Sequence, residues 1–223
     1  MNKKITEYHA LVFDCDGVVL NSNKIKTRAF YNVAKVYGHE PAQALTDYHV
    51  QNGGISRFVK FKYLLTKILK KEIAQSELSQ LLDNYTHEVK NALMDCEVAE
   101  GLELLREQTS YANWLIVSGG DQAELRDVFK ARQLDRYFDS GIFGSPDTKE
   151  TIIAREIESG KITRPALFLG DSKYDFQGAQ TAGLDFIFLT QWTEVKGHQG
   201  WCRRNGIRQE YNIKNMLISK KLI

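Results

Sequence analysis

The stretch HALVFDCDG, residues 9–17, contains the first strand that the sequence predicts. Its apolar run ends abruptly at Asp14, a pattern typical of a buried parallel strand that reaches the edge of a sheet. Asp14 and Asp16 are two positions apart, so in an extended chain their carboxylates point to the same side. Gly17 then allows the chain to turn sharply. The stretch therefore predicts a strand with two acids at its carboxyl end, where α/β sheets bind ligands.

Two more apolar runs end in the same way. Residues 114–117 lead to Ser118, and residues 166–169 lead to Gly170 and Asp171. Each run has the length of a buried strand, and helical patterns lie between the two. Strands that alternate with helices predict an α/β fold, with a Rossmann-like parallel sheet core flanked by helices.

Capping residues mark the helices of this core. Asp121, with a glutamate three residues later, has the spacing of a capping box and predicts a helix start. Ser145-Pro146 predicts a second helix start, and Gly160 is the expected end of that helix. Lys149 then falls in the first helical turn, where a cation is unfavourable unless an anion lies nearby.

A helical insertion interrupts the core. About a hundred residues separate Asp14 from Ser118, whereas a crossover between parallel strands needs only about a dozen. Apolar residues recur at helical spacing in this interval, and lysines 60, 62, 67, 70 and 71 are predicted to occupy the solvent-facing side of one helix. We expect a small α-helical cap domain at residues 21–95, inserted into a core of residues 1–20 and 96–223.

Four carboxylates are predicted to meet at the edge of the sheet. Asp14 and Asp16 follow one strand, and Asp171 and Asp175 follow another. Converging carboxylates repel unless a cation neutralises them, and oxygen ligands without nearby His or Cys suit a hard ion such as Mg²⁺. Taken singly, Asp171 and Asp175 also fit a helix N-cap and a surface acid.

An anion site is predicted beside these acids. Ser118, Gly119 and Gly120 offer a hydroxyl and accessible backbone amides, the groups that cradle an anion. Ser118 alone also fits a turn residue, and Lys149 alone also fits a solvated lysine.

Composition excludes several classes of protein. The 223 residues are 43% hydrophobic and carry a net charge of +2, so bulk charge indicates neither a nucleic acid nor a membrane partner. No apolar run approaches the roughly 20 residues that span a bilayer. Cys15, Cys96 and Cys202 are an odd number without metal-ligand spacing, and we expect free thiols in a cytoplasmic protein.

The motifs together resemble one family. D-x-D-G at 14–17, V-S-G-G at 117–120, Lys149 and G-D-x-x-x-D at 170–175 resemble the haloacid dehalogenase superfamily of phosphotransferases. The helical insertion directly after the first motif is similar to the cap of its phosphoglycolate phosphatase and β-phosphoglucomutase branch. The resemblance covers residues 8–190, and the segment 197–223 lies beyond it.

The resemblance implies a role for each matching residue. Asp14 would be the nucleophile that takes the phosphoryl group, and Asp16 the general acid that later serves as base toward water. Ser118 and Lys149 would hold the phosphoryl oxygens. Relatives that are true dehalogenases lack the second acid, so a carbon–halogen substrate is not expected.

The resemblance also implies a metal site. Mg²⁺ would be held by Asp14, the backbone carbonyl of Asp16 and Asp171, with Asp175 as a ligand or as support for one. Gly17 and Gly119 are candidate substrate-binding positions in the adjoining turns.

A substrate-specificity loop is the last point of resemblance. The segment Gly53-Gly54-Ile55-Ser56-Arg57 is similar to a G-x-S-R run that supplies an arginine to a second anionic group. Arg57 is therefore predicted to bind the substrate, and His49 could join it. The alternatives are a solvent-exposed arginine at a helix start and a locally hydrogen-bonded histidine.

These observations predict a Mg²⁺-dependent phosphatase that forms an aspartyl-phosphate intermediate. Its substrate would be a small phosphorylated metabolite: a sugar phosphate, a sugar-acid phosphate or phosphoglycolate. The alternatives are a β-phosphoglucomutase-like sugar-phosphate mutase, which uses the same residues, and a non-catalytic phosphate-binding module. We expect a monomer or dimer without a nucleic acid or membrane partner.

Overall fold

Six parallel strands form one sheet in the computed structural model of the chain, which describes residues 3–218. The strands are β1 (Ala10–Phe13), β2 (Asn113–Asp121), β3 (Gly141–Ser145), β4 (Ala166–Gly170), β5 (Asp185–Leu189) and β6 (Arg208–Glu210), in the spatial order β3-β2-β1-β4-β5-β6. Each neighbouring pair is parallel. The predicted Rossmann-like core is confirmed.

Strand β1 lies between β2 and β4 in the sheet. It pairs with β2 on one side and β4 on the other, with Phe13 level with Ile116 and Leu169. The carboxyl ends of these three strands therefore meet. The chain places β2 and β3 on one side of β1 and β4 to β6 on the other, and such a change of direction opens a crevice at the strand ends.

Alternating side chains of β1 supply two hydrophobic layers, as strand geometry requires. Leu11 and Phe13 face one apolar cluster, and Ala10 and Val12 face the other. Helices cover both faces, as expected of a parallel sheet. The helices outside the insertion are α5 (Leu102–Gln108), α6 (Gln122–Ala131), α7 (Lys149–Glu158), α8 (Lys173–Thr181), α9 (His198–Arg204) and α10 (Ile213–Ile218).

A group of four helices lies between β1 and α5, and we call this group the helical insert. Its members are α1 (Asn23–Ala34), α2 (His39–Gln51), α3 (Arg57–Tyr63), which continues as a π-helical turn over Leu64–Ile68, and α4 (Gln75–Asp95). Phe30, Phe61 and Tyr85 join them, with ring centroids 4.5–5.7 Å apart. The two connections to the core run side by side: the Asn21 amide donates to the Glu97 carbonyl at 2.9 Å.

The structure corrects two expectations. Ser145 ends strand β3, its bond to Pro146 is cis, and the helix begins only at Lys149, with Thr148 as its N-cap. The predicted helix start at Ser145-Pro146 is wrong because Thr148, not Ser145, accepts the capping hydrogen bond. Lys60 is also not solvent-facing: it is 1% exposed and shares the buried face of α3 with Phe61.

The chain beyond the motifs completes the core. Strand β6 adds to β5, and Cys202 on α9 is buried in one of the apolar clusters. Residues 219–223 of the segment without a sequence interpretation lie outside the described part of the chain. Among the described residues, no helix is long and apolar enough to cross a membrane.

Candidate active site

Lys149 lies between two buried acids at the carboxyl edge of the sheet. Its ammonium group is 2.9 Å from Asp14 Oδ1 and also donates a hydrogen bond to Asp175 Oδ1. All three residues are at most 2% exposed. Lys149 is the first residue of α7, where the helix dipole disfavours a cation. The two carboxylates outweigh that cost and raise the pKa of Lys149, although burial opposes the rise.

Asp175 has a structural function that explains its burial. Ser172 and Asp175 form a capping box at the start of α8, in which the Ser172 hydroxyl donates to Asp175 Oδ2 at 2.7 Å. The backbone amides of Asp171 and Ser172 donate to the same oxygen at 3.2 and 3.0 Å. Asp175 therefore accepts hydrogen bonds on both oxygens and fixes the turn that carries Asp171.

Asp171 faces Asp14 across the edge. One ligand oxygen from each of Asp14, Asp171 and Asp175 lies within 4.8 Å of the others. Asp171 Oδ2 accepts a hydrogen bond from Asn23 of the insert at 2.7 Å. Gly17 makes this approach possible, because its φ is +76° and a Cβ atom there would lie 2.2 Å from Asp171 Oδ2.

The pKa values indicate that too little positive charge surrounds this group of acids. Burial and repulsion from Asp175 raise the pKa of Asp14 to about 7, even though Lys149 opposes the rise. Burial and repulsion from Asp175 and Asp14 also raise the pKa of Asp171 well above its ordinary value. An all-oxygen set of buried carboxylates that repel one another fits a hard divalent cation such as Mg²⁺.

Asp16 has a different environment. Lys26 of the insert donates to its Oδ2 at 2.7 Å, and the Ser22 hydroxyl donates to its Oδ1 at 2.5 Å. Burial by itself would raise the pKa of Asp16, but these two donors outweigh it and the pKa is lowered. The two neighbouring acids thus differ: the pKa of Asp14 is raised, and that of Asp16 is lowered.

The Ser118 corner lies against the insert. Ser118 is fully buried, and its Oγ accepts a hydrogen bond from the Gly120 amide at 3.0 Å. A Cβ atom at Gly119 would lie 2.0 Å from the carbonyl oxygen of Gly54, so only glycine permits this contact.

The turn at Gly17 is closed by a backbone hydrogen bond, in which the Gly17 amide donates to the Leu20 carbonyl at 2.9 Å. A substrate-binding role for Gly17 and Gly119 stays a prediction.

A cavity of about 60 Å³ lies between the insert and the sheet edge. Asp14, Asp16 and Asp171 line its floor. Its upper wall comes from the insert and includes Phe30, Tyr85, His49 and the side chains of Lys26, Arg57 and Lys60. The structure therefore brings the predicted acids together beneath a basic, aromatic roof.

Arg57 connects the insert to the core. Its guanidinium forms a two-pronged ion pair with Glu124 on α6, with Nη1 2.9 Å from Oε2 and a second bond from Nη2 to Oε1. Nη1 also donates to Thr86 Oγ1 at 3.0 Å. Arg57 is 5% exposed, which excludes the alternative of a solvated arginine. Its predicted contact with substrate is not seen here, and that role stays a prediction.

Sequence reasoning missed several residues of the site, among them Ser22, Asn23, Lys26, Lys60 and Glu124. A signal existed for Lys26 and Lys60, because each lies on the apolar face of its helix, three or four positions from buried residues. Asn23 and Glu124 had none, since their partners are 148 and 67 positions away along the chain.

A comparison with family models identifies the family of this chain. The family model for haloacid dehalogenase-like hydrolases matches residues 11–189. No curated protein sequence matches the chain significantly.

Solved structures share the fold. A predicted phosphatase from Clostridium acetobutylicum has a TM-score of 0.71 at 20% identity, covering 96% of this chain and 98% of that one. A protein provisionally described as a phosphoglycolate phosphatase, from Lactobacillus plantarum, has a TM-score of 0.69 at 22% identity, covering 94% and 98%. A haloacid dehalogenase hydrolase from Entamoeba histolytica has 0.69 at 18%, covering 93% and 97%. The family match over most of the chain and the acids it spans show that this protein belongs to the haloacid dehalogenase-like hydrolases.

Proposed function

We propose that this hydrolase is a Mg²⁺-dependent phosphatase that cleaves a small phosphate monoester through an aspartyl-phosphate at Asp14. The observation that carries the proposal is the convergence of Asp14, Asp16, Lys149 and Asp171 at one sheet edge, beside a cavity that the insert also lines. We further propose that residues 21–95 act as the cap of this site.

In the first step, an oxygen of Asp14 attacks phosphorus as the bond from phosphorus to the leaving oxygen breaks. Asp16 donates the proton that the leaving oxygen needs. Lys149 balances the charge of the phosphoryl oxygens, and the Ser118 hydroxyl donates a hydrogen bond to one of them. Lys149 already contacts Asp14 at 2.9 Å. Asp16 must exchange its contact with Lys26 for the substrate before it acts.

In the second step, water attacks the phosphorus of the aspartyl-phosphate and the bond to Asp14 breaks. Asp16, now deprotonated, accepts the proton of the attacking water, and inorganic phosphate leaves. Lys26 and Ser22 stabilise the carboxylate form of Asp16 that this step requires. The insert excludes other water while the site is closed.

The metal site fits the same proposal. Asp14, Asp171 and the backbone carbonyl of Asp16 would hold Mg²⁺, while Asp175 orients Asp171 through the α8 capping box. Bound there, Mg²⁺ would neutralise negative charge on the acids and on the phosphoryl group. The raised pKa values of Asp14 and Asp171 support this, because they show where positive charge is missing.

The size of the cavity favours a small substrate. At about 60 Å³ the cavity is small, which favours a sugar-acid phosphate, a short sugar phosphate or phosphoglycolate over a nucleotide while the insert is closed. A cytoplasmic location is also part of the proposal, supported by three cysteines that form no disulfide in the described chain.

The test is phosphate release from a panel of phosphorylated metabolites, with Mg²⁺ and after chelation. We expect Mg²⁺-dependent release, lost by more than about a thousandfold in Asp14→Asn. Asp83→Asn, an exposed change on α4, is the matched control and should retain wild-type rates. Absence of release from every substrate, or a rate in Asp14→Asn near that of the wild type, would overturn the proposal.

A further inference from the structure

Lys60 is a buried cation in the roof of the cavity. It is 1% exposed, and its ammonium group contacts the His49 ring at Nδ1, 2.8 Å away. It also lies 5.4 Å from the centre of the Phe30 ring. No carboxylate of the described chain lies within ion-pair distance of Lys60. A buried ammonium group is costly without an anionic partner, so this arrangement needs an explanation.

The other two cations of the roof are already paired. Lys26 is bound to Asp16, and Arg57 is bound to Glu124. Burial, and then repulsion from Lys26, lower the pKa of Lys60 to about 7. Burial and the two lysines also lower the pKa of His49 well below its ordinary value, so His49 is neutral. Lys60 is therefore the roof cation that an incoming anion can stabilise.

We infer that Lys60, supported by His49, binds a second anionic group on the substrate, so that the substrate is a short phosphate monoester with a carboxylate or a second phosphate at its other end. This inference rests on the proposed function and names its substrate class. Lys60 belongs to the insert wall, whereas in the proposed mechanism the core residues on the floor of the cavity would hold the phosphoryl group.

Distance and charge favour binding of the two anionic groups at separate places in the cavity. Lys60 lines the same cavity of about 60 Å³ as Asp14 and Asp16, so a short molecule can contact Lys60 and the two acids at once. The neutral His49 ring accepts a hydrogen bond from Lys60 on Nδ1, and its Nε2–H is then available as a second donor. A bound anion would receive a charged and a neutral hydrogen bond in one place.

The experiment uses matched substrates that differ only in the second charge. In one arm, 2-phosphoglycolate is compared with ethyl phosphate; in the other, ethylene glycol bisphosphate is compared with ethyl phosphate. The readout is the selectivity ratio, which is kcat/KM for the doubly anionic substrate divided by kcat/KM for ethyl phosphate. We expect a wild-type ratio above 10 in one arm, and the arm shows whether the group is a carboxylate or a phosphate.

Lys60→Met should lower that ratio by about 10- to 100-fold, the loss expected for a charged hydrogen bond. Lys62→Met, the same change at an exposed position of the same helix, should leave the ratio unchanged. If Lys60→Met does not fold, Lys60→Gln takes its place. A wild-type ratio near 1 in both arms, or equal losses on both substrates of a pair, would overturn the inference.

A binding measurement separates this inference from the proposed function. Calorimetry with 3-phosphonopropionate and propylphosphonate requires no turnover, and the two ligands differ in one carboxylate. We expect tenfold tighter binding of 3-phosphonopropionate by the wild type and equal binding by Lys60→Met. If the protein binds in this way but releases no phosphate, the inference about Lys60 stands and the proposed phosphatase function is wrong. If the wild type binds both ligands equally, Lys60 does not bind a carboxylate, and only the bisphosphate arm could still support the inference.

Discussion

The ion pair between Arg57 and Glu124 provides a direct test of whether the insert is closed in solution. Arg57 begins α3 in the insert, and Glu124 lies in the first turn of α6 in the core. Their side chains are 4% and 9% exposed, and the guanidinium also lies 4.8 Å from the centre of the Tyr85 ring. Separating the insert from the core would expose both charges to water.

Removal of one partner should be costly only if the pair stays buried. Glu124→Leu or Arg57→Met would each leave a buried charge without its partner, at a cost of about 3–5 kcal/mol in the free energy of unfolding. The double variant replaces both charges by apolar groups and should cost less than the sum of the single changes by at least about 2 kcal/mol.

Urea-induced unfolding of the four proteins measures this coupling energy. The surface pair Lys214 and Glu100, with side chains 53% and 67% exposed, is the control and should show no resolvable coupling. If each single change at Arg57 or Glu124 costs less than about 1 kcal/mol, both charges are solvated in the native ensemble. The closed insert would then be a minor state in solution, and the conclusion that the insert covers the cavity would be wrong.

Three further predictions concern activity. Gly119→Ala should lower kcat/KM at least tenfold, because its Cβ atom would lie 2.0 Å from the Gly54 carbonyl oxygen and oppose closure of the insert. Gly200→Ala on α9 is the control and should not lower kcat/KM, so equal rates for the two variants would contradict this prediction. Chelation by EDTA should stop phosphate release, and Mg²⁺ should restore it better than Ca²⁺, which accepts looser coordination; full activity after exhaustive chelation would remove the metal from the mechanism. Asp16→Asn should slow alkyl phosphates more than aryl phosphates, whose leaving groups need little protonation, and equal losses would count against Asp16 as the acid.

Local signals in the sequence determined the core and the acids. Apolar runs that stop at polar residues predicted three of the six strands correctly, since burial on both faces requires continuous apolar residues. The two-residue spacing of Asp14 and Asp16, and the turn at Gly17, are also local properties. The helical insertion followed from the length of the interval and from apolar residues at helical spacing. The resemblance to the family rested on such local motifs, because each of the four spans only a few residues.

Packing between distant segments decided the rest. Lys60 was assigned to the wrong face because lysine is ordinarily solvated, although residues 57, 60, 61, 64 and 65 have the spacing of one helical face. The structure shows that all five are buried. Strand β3 contains only two large apolar residues and β6 contains none, so their pairing with β2 and β5 defines them. The partner of Arg57 is 67 positions away, and no local pattern encodes that contact. The spacing between Asp14 and Asp16 is set by three consecutive residues of the sequence. The positive charge that Lys26 places beside Asp16 is present only after the insert has packed against the sheet.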